Sequence, residues 1–183
     1  MNLIQRVQDI LLKPKETWPV IAQEKDDIAA IYKNYVVYLA AISPVALFLG
    51  TYVLGYRMGG FILGGLMGMI AQYVVSLVLV IGVAFVANEL APSFGGTKDL
   101  LSAFKLVAYG MTAGWVGGIF NLIVGLRVLA VLAGLYGIYL LFLGAPVLMK
   151  VPEDKAPGYI AVLVVIVIVA SLLLGAMGLG MRM

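Results

Sequence analysis

Five long apolar segments follow one another along the chain, separated by shorter polar stretches. They lie at residues 35–54, 61–87, 106–124, 128–149 and 159–179. Each has about the 20 residues that a helix needs to cross the ~30 Å hydrocarbon core of a bilayer. The alternating pattern of a barrel strand is missing, and open strands leave backbone groups unsatisfied in lipid. The pattern therefore predicts an all-α integral membrane protein with five transmembrane helices.

A different pattern precedes the first apolar segment. Over residues 1–13, apolar and polar side chains occupy opposite faces of a helix. The apolar face holds Leu3, Ile4, Val7, Ile10 and Leu11. This predicts a short amphipathic helix that lies in the membrane interface, packs on the protein's own loops or binds a partner. Pro14 ends the helix, and Trp18, beside Pro19, is predicted to anchor the chain at the interface.

Glycines recur every fourth residue in two of the apolar segments. The rows are Gly60, Gly64 and Gly68 in the second segment and Gly110, Gly114 and Gly118 in the third. Small residues let helix backbones approach closely in lipid, where no hydrophobic effect drives helices together. We expect the two rows to pack the second and third helices against each other or against a second copy of the chain. The rows thus leave a homo-oligomer open.

Composition narrows the chemistry that the chain can perform. Hydrophobic residues make up 63% and charged residues 11% of the sequence, whereas soluble domains carry roughly 25% charged residues. The chain therefore belongs in contact with the lipid bilayer. Cysteine and histidine are absent, which excludes thiol chemistry and removes the commonest general base and metal ligand. We expect no enzymatic activity, no cofactor, no assigned metal site and no nucleic-acid partner.

The charged residues are unevenly distributed between the two sides of a five-span arrangement. Nine of the 12 Lys and Arg residues fall on the N-terminal side, as do all nine acidic residues. Because cytoplasmic loops carry the excess of Lys and Arg, the N-terminus is predicted in the cytoplasm and the C-terminus on the opposite side. The expected location is the inner (cytoplasmic) membrane of a cell. The outer face of the protein is expected to carry very few charged residues.

Polar residues also follow the second segment and offer a second functional hypothesis. These are Gln72, Ser76, Asn88 and Glu89, with Asn121 of the third segment opposite them. Polar groups inside a membrane are costly and face protein or water, so this line is a candidate path for a cation, a divalent metal ion included, or for a lipid. No Asp, Glu, Lys or Arg lies well inside any segment, which favours helix packing instead. A non-enzymatic scaffold and a small transporter or channel both stay open.

Three stretches resemble the bacterial branch of the Yip family, five-span membrane proteins named for binding small GTPases of the Ypt/Rab class. They are LLKPKETWPVIAQE at Leu11–Glu24, FGGTKDLLSAFKLVAYG at Phe94–Gly110 and YGIYLLFLGAPVLMKVPEDKAPGY at Tyr136–Tyr159. The resemblance implies a single membrane domain over residues 1–183, with five helices and a cytoplasmic N-terminus. It implies no biochemical activity.

The chain departs from the family pattern at one position. Family members often carry a proline shortly after an Ala-Tyr pair near the start of the third helix, whereas this chain has Thr112 and Ala113 there. The resemblance would place a kink at that proline. Whether the helix bends here therefore depends on the neighbouring glycines.

Overall fold

The computed structural model describes residues 2–54 and 62–180, with side chains described as far as residue 169. Helices account for most of these residues, and the described ranges contain no strand. The helices are α1 (Leu3–Leu12), α2 (Pro14–Gln23), α3 (Ile28–Val53), α4 (Ile62–Leu90), α5 (Leu100–Gly110), α6 (Thr112–Gly117), α7 (Arg127–Leu148) and α8 (Ala156–Gly180). The all-helical prediction is confirmed for the described part of the chain.

Three helical stretches in the described residues are long and apolar enough to cross a bilayer. They are Ile28–Val53, Ile62–Phe94 and Val124–Leu148, and the apolar part of α8 whose side chains are described, Ala156–Val169, is shorter. The third predicted segment is divided among α5, α6 and a 3₁₀ turn, Gly118–Leu122. The chain is thus a membrane protein with three clearly membrane-capable helices.

Local sequence signals explain where the short helices begin. The Asn2 side chain accepts a hydrogen bond from the backbone N–H of Ile4, 3.1 Å away, and so caps α1. Proline is favoured in the first turn of a helix because it needs no N–H there, and Pro14 opens α2. The Asp99 carboxylate accepts from the backbone N–H groups of Leu101 and Ser102 and caps α5. These caps satisfy N–H groups that lack an intrahelical partner.

Helix α5 occupies the centre of the bundle. Every residue from Ala103 to Gly110 is buried, including Phe104 and Tyr109. It packs against α4, α7 and the first turn of α3. A helix that is apolar and buried on all sides is the core of the surrounding bundle, so α5 is the element around which the other helices are arranged.

The chain breaks its helix between α5 and α6 although no proline is present. Met111 forms a turn between Gly110 and Thr112. A Cβ added at Gly137 of α7 would lie 3.1 Å from the Gly110 carbonyl oxygen, so the two backbones are close at the break. One residue in turn conformation therefore interrupts the helix where the resemblance suggested a kink, beside glycine rather than proline.

Trp18 corrects the prediction of an aromatic anchor at the membrane interface. Its side chain is fully buried and lies against α7, where a Cβ added at Gly144 would be 2.8 Å from the indole ring. Leu106 approaches the same glycine from α5. The prediction for Trp18 is wrong because the missing side chain of Gly144 creates a slot for the indole inside the protein.

Helix α1 packs on the protein rather than lying apart from it. Its Ile10 side chain is fully buried, and the helix contacts α2 and α6. The Tyr136 hydroxyl of α7 donates a hydrogen bond to the Leu11 carbonyl oxygen at 2.8 Å. Among the alternatives that the sequence left open for α1, the structure supports packing on the chain itself.

The bundle has two ends that differ in packing. We call the end formed by α1, α2, residues 28–41 of α3, α5, the C-terminal halves of α4 and α7 and the start of α8 the packed end. The end formed by residues 42–54, 62–76 and 118–136 is the open end. Most of the large, fully buried side chains lie at the packed end, among them Trp18, Tyr35, Tyr109 and Tyr159.

Candidate functional site

Six polar or aromatic residues meet at the packed end, where α1 and α2 lie against the other helices. We call them the polar cluster: Arg6, Glu24, Tyr35, Lys105, Tyr109 and Thr112. Four of their side chains, those of Tyr35, Lys105, Tyr109 and Thr112, are at most 3% exposed. Burying polar groups is costly unless they are hydrogen-bonded or paired, so the partners of each group define what the cluster does.

An ion pair joins α1 to the residue that ends α2. The Arg6 guanidinium is paired with the Glu24 carboxylate, and the two side chains are 9% and 26% exposed. The guanidinium carbon of Arg6 lies 5.7 Å from the centre of the Tyr109 ring, within the range of a cation–π interaction. The Glu24 Oε2 atom is buried and has no hydrogen-bond partner. Removing one member of such a pair leaves a buried charge and is destabilising.

Lys105 connects α5 to the end of α2. Its ammonium group donates hydrogen bonds to the carbonyl oxygens of Ile21 at 2.9 Å and Glu24 at 2.6 Å. These carbonyls are at the C-terminus of α2, where the last carbonyl groups of a helix lack intrahelical partners and carry partial negative charge. Lys105 thus caps α2 from a helix that follows later in the chain, 81 residues after Glu24 and 84 after Ile21.

Two tyrosines extend the cluster to α3 and α6. The Tyr35 and Thr112 hydroxyl groups lie 2.6 Å apart and form a buried hydrogen bond. The rings of Tyr35 and Tyr109 meet edge to face, with centroids 4.8 Å apart. Edge-to-face contacts of this kind are favourable beyond the area they bury. The cluster therefore joins five helices into one unit.

The chemistry available at the polar cluster is structural. A carboxylate, two cations and the hydroxyl groups of Tyr35 and Thr112 are engaged with one another, with the Tyr109 ring or with backbone carbonyls. Among the described residues, no group of three or more acidic, Cys or His side chains is arranged to hold a metal ion. The arrangement favours holding α1 and α2 in place over catalysis.

The two long polar loops interlock beside the polar cluster. The Thr97 N–H donates to the Met149 carbonyl oxygen at 2.8 Å, and the Phe94 and Tyr159 rings meet edge to face with centroids 5.8 Å apart. The Tyr159 hydroxyl donates to the Ala87 carbonyl oxygen at 2.8 Å. Residues 91–99 and 149–155 thus form one surface, which we call the loop platform.

The polar residues of the second segment lie in separate environments. Gln72 is exposed in a groove between α3 and α4, and Ser76 is half-buried one turn later. Asn88 is buried and donates a hydrogen bond to the Glu89 carboxylate at 3.0 Å. Glu89 is exposed and forms an ion pair with Lys98.

Apolar residues separate these positions along α4. The buried residues between Ser76 and Asn88 are Val80, Val83, Ala84 and Ala87. Asn121 lies in the 3₁₀ turn at the open end, where its backbone carbonyl approaches Gly50 of α3. Over the described residues, the structure does not bring the five polar residues into one continuous path.

The first glycine row faces α3. Gly64 and Gly68 line the same groove as Gln72, a cavity of about 240 Å³ bounded by Pro44 and other residues of α3. Gly60 lies outside the described residues. The row is therefore directed toward the first long helix rather than toward α5 and α6.

The second glycine row is divided among different neighbours. Gly110 lies against Leu141 of α7, and Gly118 lies against Ser43 of α3. Gly114 differs from both, because a Cβ there would meet no atom within 4 Å. Among the described residues, the two rows do not pack on each other, since Gly64 and Gly68 face α3, whereas Gly110 and Gly118 lie against Leu141 and Ser43.

Sequence reasoning misses the polar cluster. Arg6, Glu24 and Lys105 fall outside the predicted spans, where they count only as loop charges. One signal was present, since Lys105 stands between Phe104 and Leu106 in an otherwise apolar run. A lysine in that setting needs acceptors, but the pattern gives no indication that these are the carbonyls of α2.

Comparison with known proteins gives one match. Searches of curated proteins and of solved structures gave no significant match. A family model described as the Yip1 domain matches residues 9–175. That range takes in α2 through most of α8 and all of the polar cluster except Arg6. The match confirms the resemblance to the Yip family, and the chain is a member of the Yip1 domain family.

Proposed function

We propose that this protein is a non-enzymatic, multi-pass scaffold that organises other components at the membrane. In this proposal, five helices span the inner membrane of a bacterium, with the N-terminus in the cytoplasm and the C-terminus outside it. The excess of Lys and Arg near the N-terminus and in the two long loops supports this orientation. Residues 100–122 supply the third crossing, with a length of roughly 35 Å at 1.5 Å per residue.

The observation that carries the proposal is the attachment of α1 and α2 to α5 by the polar cluster. It removes from these helices the freedom of an independent interfacial segment, because Lys105 of α5 and Tyr136 of α7 hold them in place. A rigid polar surface next to membrane-embedded helices is suited to binding other components at the membrane. The separation of Gln72 from Asn88 by apolar residues supports this role over conduction.

The orientation is tested by labelling single cysteines, because the native chain has none. Asp154→Cys lies in the loop platform and Gly125→Cys in the turn at the open end. A membrane-impermeant maleimide should label Gly125→Cys in intact spheroplasts and Asp154→Cys only after permeabilisation. The reverse result, or equal labelling of both, would contradict the proposed orientation.

The scaffold role is tested by photo-crosslinking in cells. A photoreactive amino acid at Asp154 samples the loop platform, and the same amino acid at Val124 is the matched control at the open end. We expect discrete protein adducts at Asp154 and none at Val124. Equal adduct patterns at the two positions would remove the basis for a binding face at the platform.

The competing transport hypothesis is tested separately in liposomes. A scaffold leaves ion flux unchanged when the purified protein is reconstituted and challenged with a panel of divalent cations. A saturable flux that Asn88→Ala and Glu89→Gln abolish would establish the transporter instead.

A further inference from the structure

An apolar cleft of about 330 Å³ opens on the side of the bundle, between the third, fourth and fifth apolar segments. Glycines form much of its wall: Gly110, Gly114, Gly134 and Gly137. Trp115 and Ile168 also line it. All its lining residues are apolar, so the cleft offers no side chain to an ion or a polar solute.

Along the cleft, the inward face of α8 becomes less buried. Tyr159 and Leu163 of α8 are almost fully buried, whereas Val164 and Val167, which line the cleft, are half-buried. Across the cleft, a Cβ added at Gly114 or Gly134 would meet no atom within 4 Å. The two glycines therefore border space rather than a packed neighbour.

The exposed lining residues show where the cleft opens. Gly134 on α7 and Ile168 on α8 are exposed, so the mouth lies between these two helices. Gly134 and Gly137 stand near the middle of α7, at the depth of the hydrocarbon core in a helix that spans the membrane. The mouth opens onto the lipid-facing surface of the bundle. The molecules next to the cleft are therefore the acyl chains of the bilayer.

The size of the cleft favours one of two occupants. One turn of an α-helix is 5.4 Å long and about 10 Å across, which amounts to roughly 400 Å³. A helix of a second copy could therefore cover the mouth of the cleft but not enter and fill it. An apolar cavity of about 150 Å³ accommodates benzene, so at the same density the cleft holds roughly a dozen carbon atoms, the size of most of one acyl chain.

We propose that the cleft binds one acyl chain of a bilayer lipid, which enters sideways between α7 and α8 and lies against Gly114 and Gly134. This goes beyond the scaffold role and requires only that the helices contact lipid. The chain fills space that the protein leaves empty, because lipid tails are as apolar as leucine side chains. The missing side chains of Gly114 and Gly134 supply that space.

Tryptophan fluorescence provides the test, because Trp115 lines the cleft and Trp18 is the other tryptophan in the sequence. The full-length protein is reconstituted in phosphatidylcholine with unmodified chains or with chains brominated near their midpoint. Bromine quenches indole fluorescence at short range, so we expect strong quenching in the brominated lipid. The Trp115→Phe variant retains Trp18, which is fully buried, and should be quenched little.

Filling the cleft should displace the acyl chain. Gly114→Leu and Gly134→Leu add a side chain to its wall at positions where a Cβ meets no atom of the described residues within 4 Å, and Gly82→Leu is the matched control on the exposed surface of α4. We expect the quenching of Trp115 to be largely lost in both cleft variants and unchanged in the control. Two separate cleft variants keep the test valid if one of them folds poorly.

Native mass spectrometry of the same proteins distinguishes the remaining outcomes. The wild type and Gly82→Leu should retain one bound lipid that Gly134→Leu loses. Equal quenching and equal lipid retention in all variants would overturn the proposal. Conversion of a dimer to a monomer by Gly134→Leu, with no change in quenching, would identify the cleft as an interface between copies instead. Neither result depends on whether crosslinking supports the scaffold role.

Discussion

The packed end and the open end of the bundle are held together by different means. At the packed end, bulky side chains fill the interior, and Trp18, Tyr35 and Tyr109 are fully buried. At the open end, the backbone of the 3₁₀ turn lies directly against α3 at Gly50. Apolar side chains there face outward, and Val124 is 62% exposed. One end resembles the core of a soluble domain, whereas the other depends on lipid to complete it.

The difference shows that glycine has three separate uses in this chain. Gly144 makes room for a large ring, Gly118 lets two elements touch, and Gly114 borders a space that the protein does not fill. A regular spacing of four does not distinguish these uses. The neighbours decide them, because Gly144 meets Trp18, Gly118 meets Ser43, and a Cβ at Gly114 meets no atom of the described residues within 4 Å.

The largest effect is expected from emptying the slot at the packed end. Trp18→Ala should lower the free energy of unfolding by about 3–5 kcal/mol, the usual cost of a cavity left by a large aromatic side chain. Thermal unfolding in detergent measures the change. Tyr38→Ala is the control, because Tyr38 is 61% exposed. An equal loss in the two variants would mean that the packed end does not function as a core.

A smaller effect is expected at the open end, and it should depend on which glycine is changed. Gly118→Leu forces a side chain into Ser43 and should cost about 1–3 kcal/mol, as overpacking does. Gly114→Leu, one turn away in the same row, should change the unfolding temperature little because it meets no atom within 4 Å. Equal destabilisation by both would restore the simpler view of a uniform packing row.

Ion pairs provide the next comparison, since one is buried in the polar cluster and the other is on the surface. Glu24→Gln removes the carboxylate partner of Arg6 and should cost about 1–3 kcal/mol, the penalty for a buried group that loses its partner. Glu89→Gln breaks the exposed pair with Lys98 and should leave the unfolding midpoint almost unchanged. High salt should weaken only the contribution of the exposed pair. A larger loss from Glu89→Gln would contradict this account of the cluster.

The smallest effect concerns a single hydroxyl group. Tyr35→Phe keeps the ring against Tyr109 but leaves the buried Thr112 hydroxyl without this partner, and it should cost about 1 kcal/mol. Tyr38→Phe, at an exposed position of the same helix, serves as the reference. Chemical denaturation can resolve the difference. No difference between the two would mean that Thr112 finds another hydrogen-bond partner.

Much of the helix pattern can be predicted from the sequence, because the length of an apolar segment depends only on residues that are neighbours in the chain. The predicted segment 128–149 corresponds to Arg127–Leu148, and 61–87 corresponds to Ile62–Leu90. The third segment is the exception. Its helix starts at Leu100 because the Asp99 carboxylate caps it there, and it breaks at Met111, where no proline signals an interruption and the adjacent Gly110 is one of many glycines in the apolar segments.

The candidate site was less accessible from the sequence than the helices. Arg6 and Tyr109 are brought together by tertiary packing, and an amphipathic pattern alone cannot tell a surface that faces lipid from one that faces protein. The same ambiguity explains the error for Trp18, since a tryptophan beside a proline suits an interface equally well. The slot that receives it comes from Gly144, more than 120 residues later in the chain.

The attachment of α1 and α2 has a consequence for how the chain is assembled. Synthesis proceeds from the N-terminus, yet Leu11 is hydrogen-bonded to a residue made 125 positions later, and Ile21 to one made 84 positions later. Contacts between such distant residues form late in folding. The first two helices can therefore dock only after α5 and α7 have been inserted into the membrane. Their docking completes the fold. A chain that ended before Tyr136 would still contain α1 and α2 but would lack the residue of α7 to which α1 is hydrogen-bonded.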